Sequence, residues 1–137
     1  MTNPSLGFEV TLDKPFDQAI EAVTAALKTE GFGILTKIDV KATVKEKLGE
    51  DFRPYVILGA CNPPLAHRAL THAPEVGMML PCNVTVEATP KGGSLVRIAD
   101  PDMMLGIGDL GKDSTLRGIA SQARERLKRV HESLSKA

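Results

Sequence analysis

The amino-acid sequence predicts an α+β protein in which helices cover one face of an antiparallel sheet. Three observations predict it. The apolar periodicities run in the order strand, helix, several strands, helix. The alternating segments "CNVTVEAT" and "SLVRIAD" are joined by "PKGG", a turn that makes a hairpin and therefore antiparallel neighbours. The last helix carries a single apolar stripe, as a helix packed on one side does.

Phe8, Val10 and Leu12 alternate with Glu9, Thr11 and Asp13, the period of a half-buried strand. Phe16, Ile20, Val23 and Leu27 follow at helical spacing, with Asp13 ahead of Pro15 as the expected start and Gly31 as the expected stop. "GILTKIDV" is expected to be a second strand with Ile34, Ile38 and Val40 on one face and Lys37 and Asp39 on the other. The next segment, "KATVKEKLGE", reads as a short helix that Gly49 can end. "RPYVILGA" is apolar on both faces, Tyr55 and Ile57 against Val56 and Leu58, so it is expected to be central or to face a second subunit. Asn62 then stands before Pro63 and Pro64 as an N-cap, and a short helix is expected over Pro64 to Ala73 with Leu65, Ala66, Ala69 and Leu70 inward. Cys82, Val84, Val86 and Ala88 alternate with Asn83, Thr85, Glu87 and Thr89 in the first strand of the hairpin. Leu116, Ala120, Ala123, Leu127, Val130 and Leu134 trace the stripe of the last helix.

At 137 residues the chain fits one domain, 1–137, large enough to bury a core without staples. Lysine plus arginine and aspartate plus glutamate both number 17, so no net field draws the chain to nucleic acid or to an anionic membrane. The start, "MTNPSLGFEV", resembles no targeting signal, and no apolar run reaches the roughly 18 residues of a membrane span. A soluble, cytoplasmic protein with reduced thiols is expected.

"GIGDLG", Gly106 to Gly111, matches a dinucleotide-binding pattern, yet only one helix remains after it and Asp109 and Asp113 would repel a phosphate. The glycines read as a tight loop. Arg117, Arg124, Arg126, Lys128 and Arg129 share the last helix with Glu125 and Glu132 and no aromatic residue, which describes a solvated face. His67 and His72 lie near the cysteines in sequence, but Cys61 and Cys82 stand 21 positions apart without the close ligand pairs of a structural zinc site. Neither a metal nor a cofactor is expected. No triad, paired catalytic carboxylates or phosphate loop indicates a reaction. Cys82 falls in register with Val84 and Val86 and should face the core. Cys61 sits between a strand end and a helix start, where free amides and the helix dipole would lower its pKa.

"KIDVKATVKEKLGEDFRPYVILGACNPPLAHRAL", "GMMLPCNVTV" and "ADPDMML" together resemble the bacterial domain of unknown function family numbered 302. The resemblance covers almost the whole chain and is carried most specifically by the two Cys-Asn motifs. It implies a two-layer α+β fold similar to one repeat of the TATA-box-binding protein, strand-helix-four strands-helix, with short helices in the connections. It also implies a homodimer, and no established activity.

Two functions follow. The first is a homodimeric module that binds a small ligand in a polar cleft formed by Cys61, Asn62, Cys82 and Asn83, with His67 nearby. The second is a thiol-based redox or detoxifying enzyme, with Cys61 as nucleophile and Cys82 as resolving thiol. The dimer is expected to form about a two-fold axis through the uncovered sheet face, or through the "GMML" and "MMLG" segments beside it.

Overall fold

A computed structural model describes residues 6–136. Five strands form one antiparallel sheet: β1 (Gly7–Leu12), β2 (Gly33–Asp39), β3 (Tyr55–Cys61), β4 (Cys82–Ala88) and β5 (Ser94–Ala99), in the spatial order β1-β5-β4-β3-β2. The helices are α1 (Phe16–Thr29), α2 (Val40–Leu48), α3 (Pro63–His72), α4 (Pro101–Met104) and α5 (Ser114–Ser135). Two short 3-10 helices, Pro74–Met79 and Gly108–Lys112, complete the connections. The order strand-helix-four strands-helix with short connecting helices is the two-layer α+β arrangement expected from the sequence.

The registers explain where the core lies. Val56 pairs with Val86, Leu58 with Val84, Val86 with Val96 and Val84 with Ile98, so alternate residues of the three inner strands form one apolar face. Phe8 and Val10 extend it onto β1 opposite Ile98 and Val96. Ala19, Val23 and Leu27 of α1 and Leu116, Leu127 and Val130 of α5 bury themselves in the same cluster. The hairpin β4–β5 lies at the middle of the sheet, and β3 sits between β2 and β4, an inner position as expected.

Two local expectations are corrected. α1 begins after Pro15, without a side-chain cap, so Asp13 does not start the helix. In β2, Ile34 pairs with Ala60 but Thr36 pairs with Gly59, leaving Leu35 as a bulge residue. The bulge reverses the alternation, so that Ile34 faces the helices whereas Ile38, opposite Ile57, faces away. Val40 is no longer strand: it opens α2, capped by the Asp39 carboxylate, which accepts from the Ala42 amide at 2.9 Å. Gly49 ends α2 in the left-handed region, φ 68°, as its sequence position suggested.

The face without helices carries charged as well as apolar side chains: Tyr55, Ile57, Ile38 and Leu95 share it with Glu87 and Arg97. Glu87, 7% exposed, accepts hydrogen bonds from Arg53 and Arg97, and Arg97 also reaches Glu9 at 3.0 Å. Burial alone would raise the Glu87 pKa, but the two arginine hydrogen bonds outweigh it and hold the carboxyl below its ordinary value. The Arg53 guanidinium also lies over the Phe52 ring, 4.5 Å from its centre. The same guanidinium lies 6.0 Å from the centre of the Tyr55 ring.

Candidate functional site: an apolar cavity between the two Cys-Asn motifs

β3 ends at Cys61, and the chain turns directly into α3 through Asn62. The turn is fixed by the Asn62 side chain. Its oxygen accepts from the Leu65 amide at 3.3 Å, and its nitrogen donates to the Glu30 carbonyl at 3.4 Å. The same carbonyl accepts from Arg126 at 3.3 Å, and the Glu30 carboxylate pairs with Arg129 at 2.9 Å, so the end of α1, the start of α3 and α5 meet at one residue. Beside this junction Ala60 pairs with Cys82, the first residue of β4. Gly59 is needed there because a Cβ would collide with the Thr36 hydroxyl and the ring of Pro81, whose peptide bond to Leu80 is cis.

Between these elements lies a cavity of about 250 Å³. Ala60, Cys61 and Cys82 line it from β3 and β4. Leu65, Ala66, Ala69 and Leu70 of α3 and Ile119 and Ala123 of α5 form its sides, and Phe32 and Leu35 close the end near β2. Met79, Leu80 and Pro81, ahead of β4, form one flank, and Pro101, Met104 and Leu105, in and just after α4, form a second. The second flank is held by Asp100, which caps α4 through the Asp102 amide at 2.9 Å and pairs with Arg124 of α5 at 3.1 Å. The α3 side is held by His72, which meets the Asp113 carboxylate at 2.8 Å while that carboxylate caps α5 through the Leu116 amide at 3.0 Å. The Leu116 amide first, and His72 second, hold the Asp113 pKa below its ordinary value.

The cavity is apolar, which corrects the expectation of a polar cleft. Asn62 is its polar side chain, and both ends of that amide are engaged within the fold. Cys61, Asn62 and Cys82 come together on its wall. Asn83 does not join them: it pairs with Gly59 on the opposite face of the sheet and is exposed. His67 is exposed on α3 and does not line the cavity. Both cysteines are free thiols. The lowered pKa expected for Cys61 is also corrected, because desolvation raises it and the helix it precedes is capped by Asn62 instead. Burial pushes the Cys82 thiol up to about 11, with Cys61 adding to the shift. Among the described residues, no group of three or more histidine, cysteine, aspartate or glutamate side chains could hold a metal ion. "GIGDLG" follows α4, not a strand, and its Gly108–Lys112 portion is a 3-10 turn, so it lacks the context of a dinucleotide loop.

The sequence reading missed the walls. Phe32, Met79, Met104 and Ile119 reach the cavity from four segments far apart in the chain, and their apolar character gave no local sign of anything but core. The "GMML" and "MMLG" segments lie across this cavity and not beside the helix-free sheet face.

A family profile described as "Domain of unknown function DUF302" matches residues 8–134. The chain belongs to this family. A crystal structure described as the uncharacterized conserved protein DUF302 from Bacillus stearothermophilus is similar to it at 32% sequence identity, covering 94% of this chain and 98% of that one, with a TM-score of 0.82. No curated protein matches the chain. Among the described residues, no helix of this DUF302 protein is long and apolar enough to cross a membrane.

Proposed function

We propose that this DUF302 protein is a binding module for a small, uncharged apolar molecule held in the cavity between Cys61 and Cys82. The observation that carries the reading is the cavity itself, about 250 Å³ and lined almost wholly by aliphatic, methionine and cysteine side chains. Enclosed apolar cavities of about 150 Å³ take up benzene-sized molecules, and the apolar lining of this half-open space suits an occupant of the same kind. A methyl-detected NMR titration with benzene tests it. The expected result is saturable shifts at Leu65, Leu105 and Ile119, abolished in Ala66→Leu, which fills the space. Unmoved methyl signals, or the same shifts in Ala66→Leu, would overturn the reading.

The module is proposed to act as a homodimer in the reducing cytoplasm, where two free thiols persist. Support for association comes from Leu35, 66% exposed, and Leu70, 40% exposed, at the cavity, and from Met78, 82% exposed beside Met79. Sedimentation at micromolar concentration should give twice 14.7 kDa, and a species of 14.7 kDa alone would refute it. The thiol-enzyme alternative has weaker support, because an attacking thiol benefits from a pKa near ambient pH and burial raises both thiols here.

A further inference from the structure

Most of the cavity lining is leucine, isoleucine, alanine and proline, side chains that treat aromatic and saturated carbon alike. Three lining residues do not. Phe32, 3% exposed, presents an aromatic ring, and Met79 and Met104 come from the 3-10 helix Pro74–Met79 and from the end of α4. Methionine commonly fills irregular gaps in a core, yet the buried core here holds valine, leucine, isoleucine, alanine and Phe32, and no methionine among the described residues. Four of the five methionines stand instead in the pairs Met78-Met79 and Met103-Met104, and one member of each pair lines the cavity.

We propose that the occupant of the cavity is aromatic, a neutral compound of one or two rings. The inference rests on the apolar-ligand reading and narrows it. Removing equal apolar areas from water gives an aromatic and a saturated ring similar hydrophobic gains. Thioethers and phenyl rings separate the two. A thioether gains from contact with an aromatic ring, and a phenyl ring from edge-to-face or offset packing, both beyond the area removed from water. A saturated ring draws neither gain. The three rotatable bonds of methionine let its sulfur settle against a ring that enters.

Charge narrows the class further. Among the described lining residues none is acidic, basic or histidine, so a carboxylate or ammonium on the ring would be desolvated without a partner. A ring hydroxyl or N–H has little to bond inside, because both ends of the Asn62 amide are engaged and thiols are weak partners. Such a group belongs at the open side, where Leu35 of β2 and Leu70 of α3 are the exposed lining residues. The volume, about 250 Å³, exceeds the roughly 150 Å³ that hold benzene, which leaves room for a second ring or a short alkyl substituent.

Toluene and methylcyclohexane share one carbon skeleton and differ in aromaticity. In methyl-detected NMR titrations of the full chain, toluene should bind about tenfold more tightly. The ε-methyl signals of Met79 and Met104 should shift with toluene through its ring current, while that of Met78, 82% exposed, stays in place. Combining Met79→Leu with Met104→Leu keeps the apolar volume and should cut the preference to about threefold, with methylcyclohexane affinity as in the parent; thermal unfolding checks that the variant folds. A preference for methylcyclohexane, unmoved Met79 and Met104 signals, or an undiminished toluene preference in the double variant would each overturn the inference. Equal affinities in the parent chain would end it and leave the apolar-ligand reading standing, whereas binding of neither compound would remove both.

Discussion

The same dipeptide, Cys-Asn, occurs twice beside one cavity and is used in opposite ways. At Cys61-Asn62 the asparagine is the buried member, 7% exposed and bonded at both ends, while the cysteine is half-buried. At Cys82-Asn83 the cysteine is buried, 9% exposed, and the asparagine projects from the other face of the sheet. The difference comes from position within the strand. Asn62 lies just past the end of β3, where a polar side chain can satisfy loose amides of the helix that follows. Asn83 lies inside β4, where alternation alone decides its direction. A shared motif therefore does not mean a shared site.

The largest expected difference is in thiol reactivity. With its pKa near 11, against an ordinary value of 9.0, the Cys82 thiol at pH 8 should carry about one hundredth of the usual thiolate fraction. Alkylation with iodoacetamide should label Cys61 first, and Cys82 about hundredfold more slowly than an ordinary cysteine. Equal labelling would break the contrast. The same shift bears on stability. Below pH 9.0 the thiol is protonated in both the folded and the unfolded chain; between 9.0 and about 11 only the unfolded chain ionises. Stability should therefore fall across that window, and a Cys82→Ala variant should lack this part of the loss in urea titrations at successive pH values.

Next in size is the cap. Asn62→Ala removes the acceptor for Leu65 and the donor to Glu30, and should cost about 2 kcal/mol of unfolding free energy. Asn62→Asp, which keeps the acceptor alone, should recover about half of that. Smaller again, Cys82→Ser places a hydroxyl where a thiol packs and should cost about 1–2 kcal/mol, more than Cys61→Ser at its half-buried site. The smallest effect belongs to Asn83→Ala, expected within about 0.5 kcal/mol of the parent. A cost at Asn83 matching that at Asn62 would show that the second motif has a role the exposed side chain does not reveal.

Much of this arrangement was legible because it depends on near neighbours in the chain. Period two turned Cys82 inward, period 3.6 marked Leu116 through Leu134, and Asn62 before two prolines announced a capped helix. The alternation that turned Cys82 inward also turned Asn83 outward, so placing both in one cleft conflicted with a pattern already in view. What lay beyond reach was non-local. The bulge at Leu35 is fixed by how β2 pairs with β3, and no composition signal marks it. The cavity exists because Phe32, Met79, Met104 and Ile119 converge around Cys61 without filling the space between them. The charges of Arg53, Glu87 and Arg97 were visible one by one, but their pairing on one face of the sheet was not.

The junction at Glu30 gives the cavity a stiff side and a soft side. Asn62, Arg126 and Arg129 all converge on that residue, cross-bracing three long elements. The methionine flanks are shorter elements: a four-residue helix that Asp100 and Arg124 tie to α5, and a six-residue 3-10 segment. Breathing of the protein is therefore directional. In native-state hydrogen exchange, the Leu65 and Ala66 amides should be released only with global unfolding, while those of Leu80 and Met104 exchange through local opening. The side of the cavity built from short elements should therefore open before the side built from long ones.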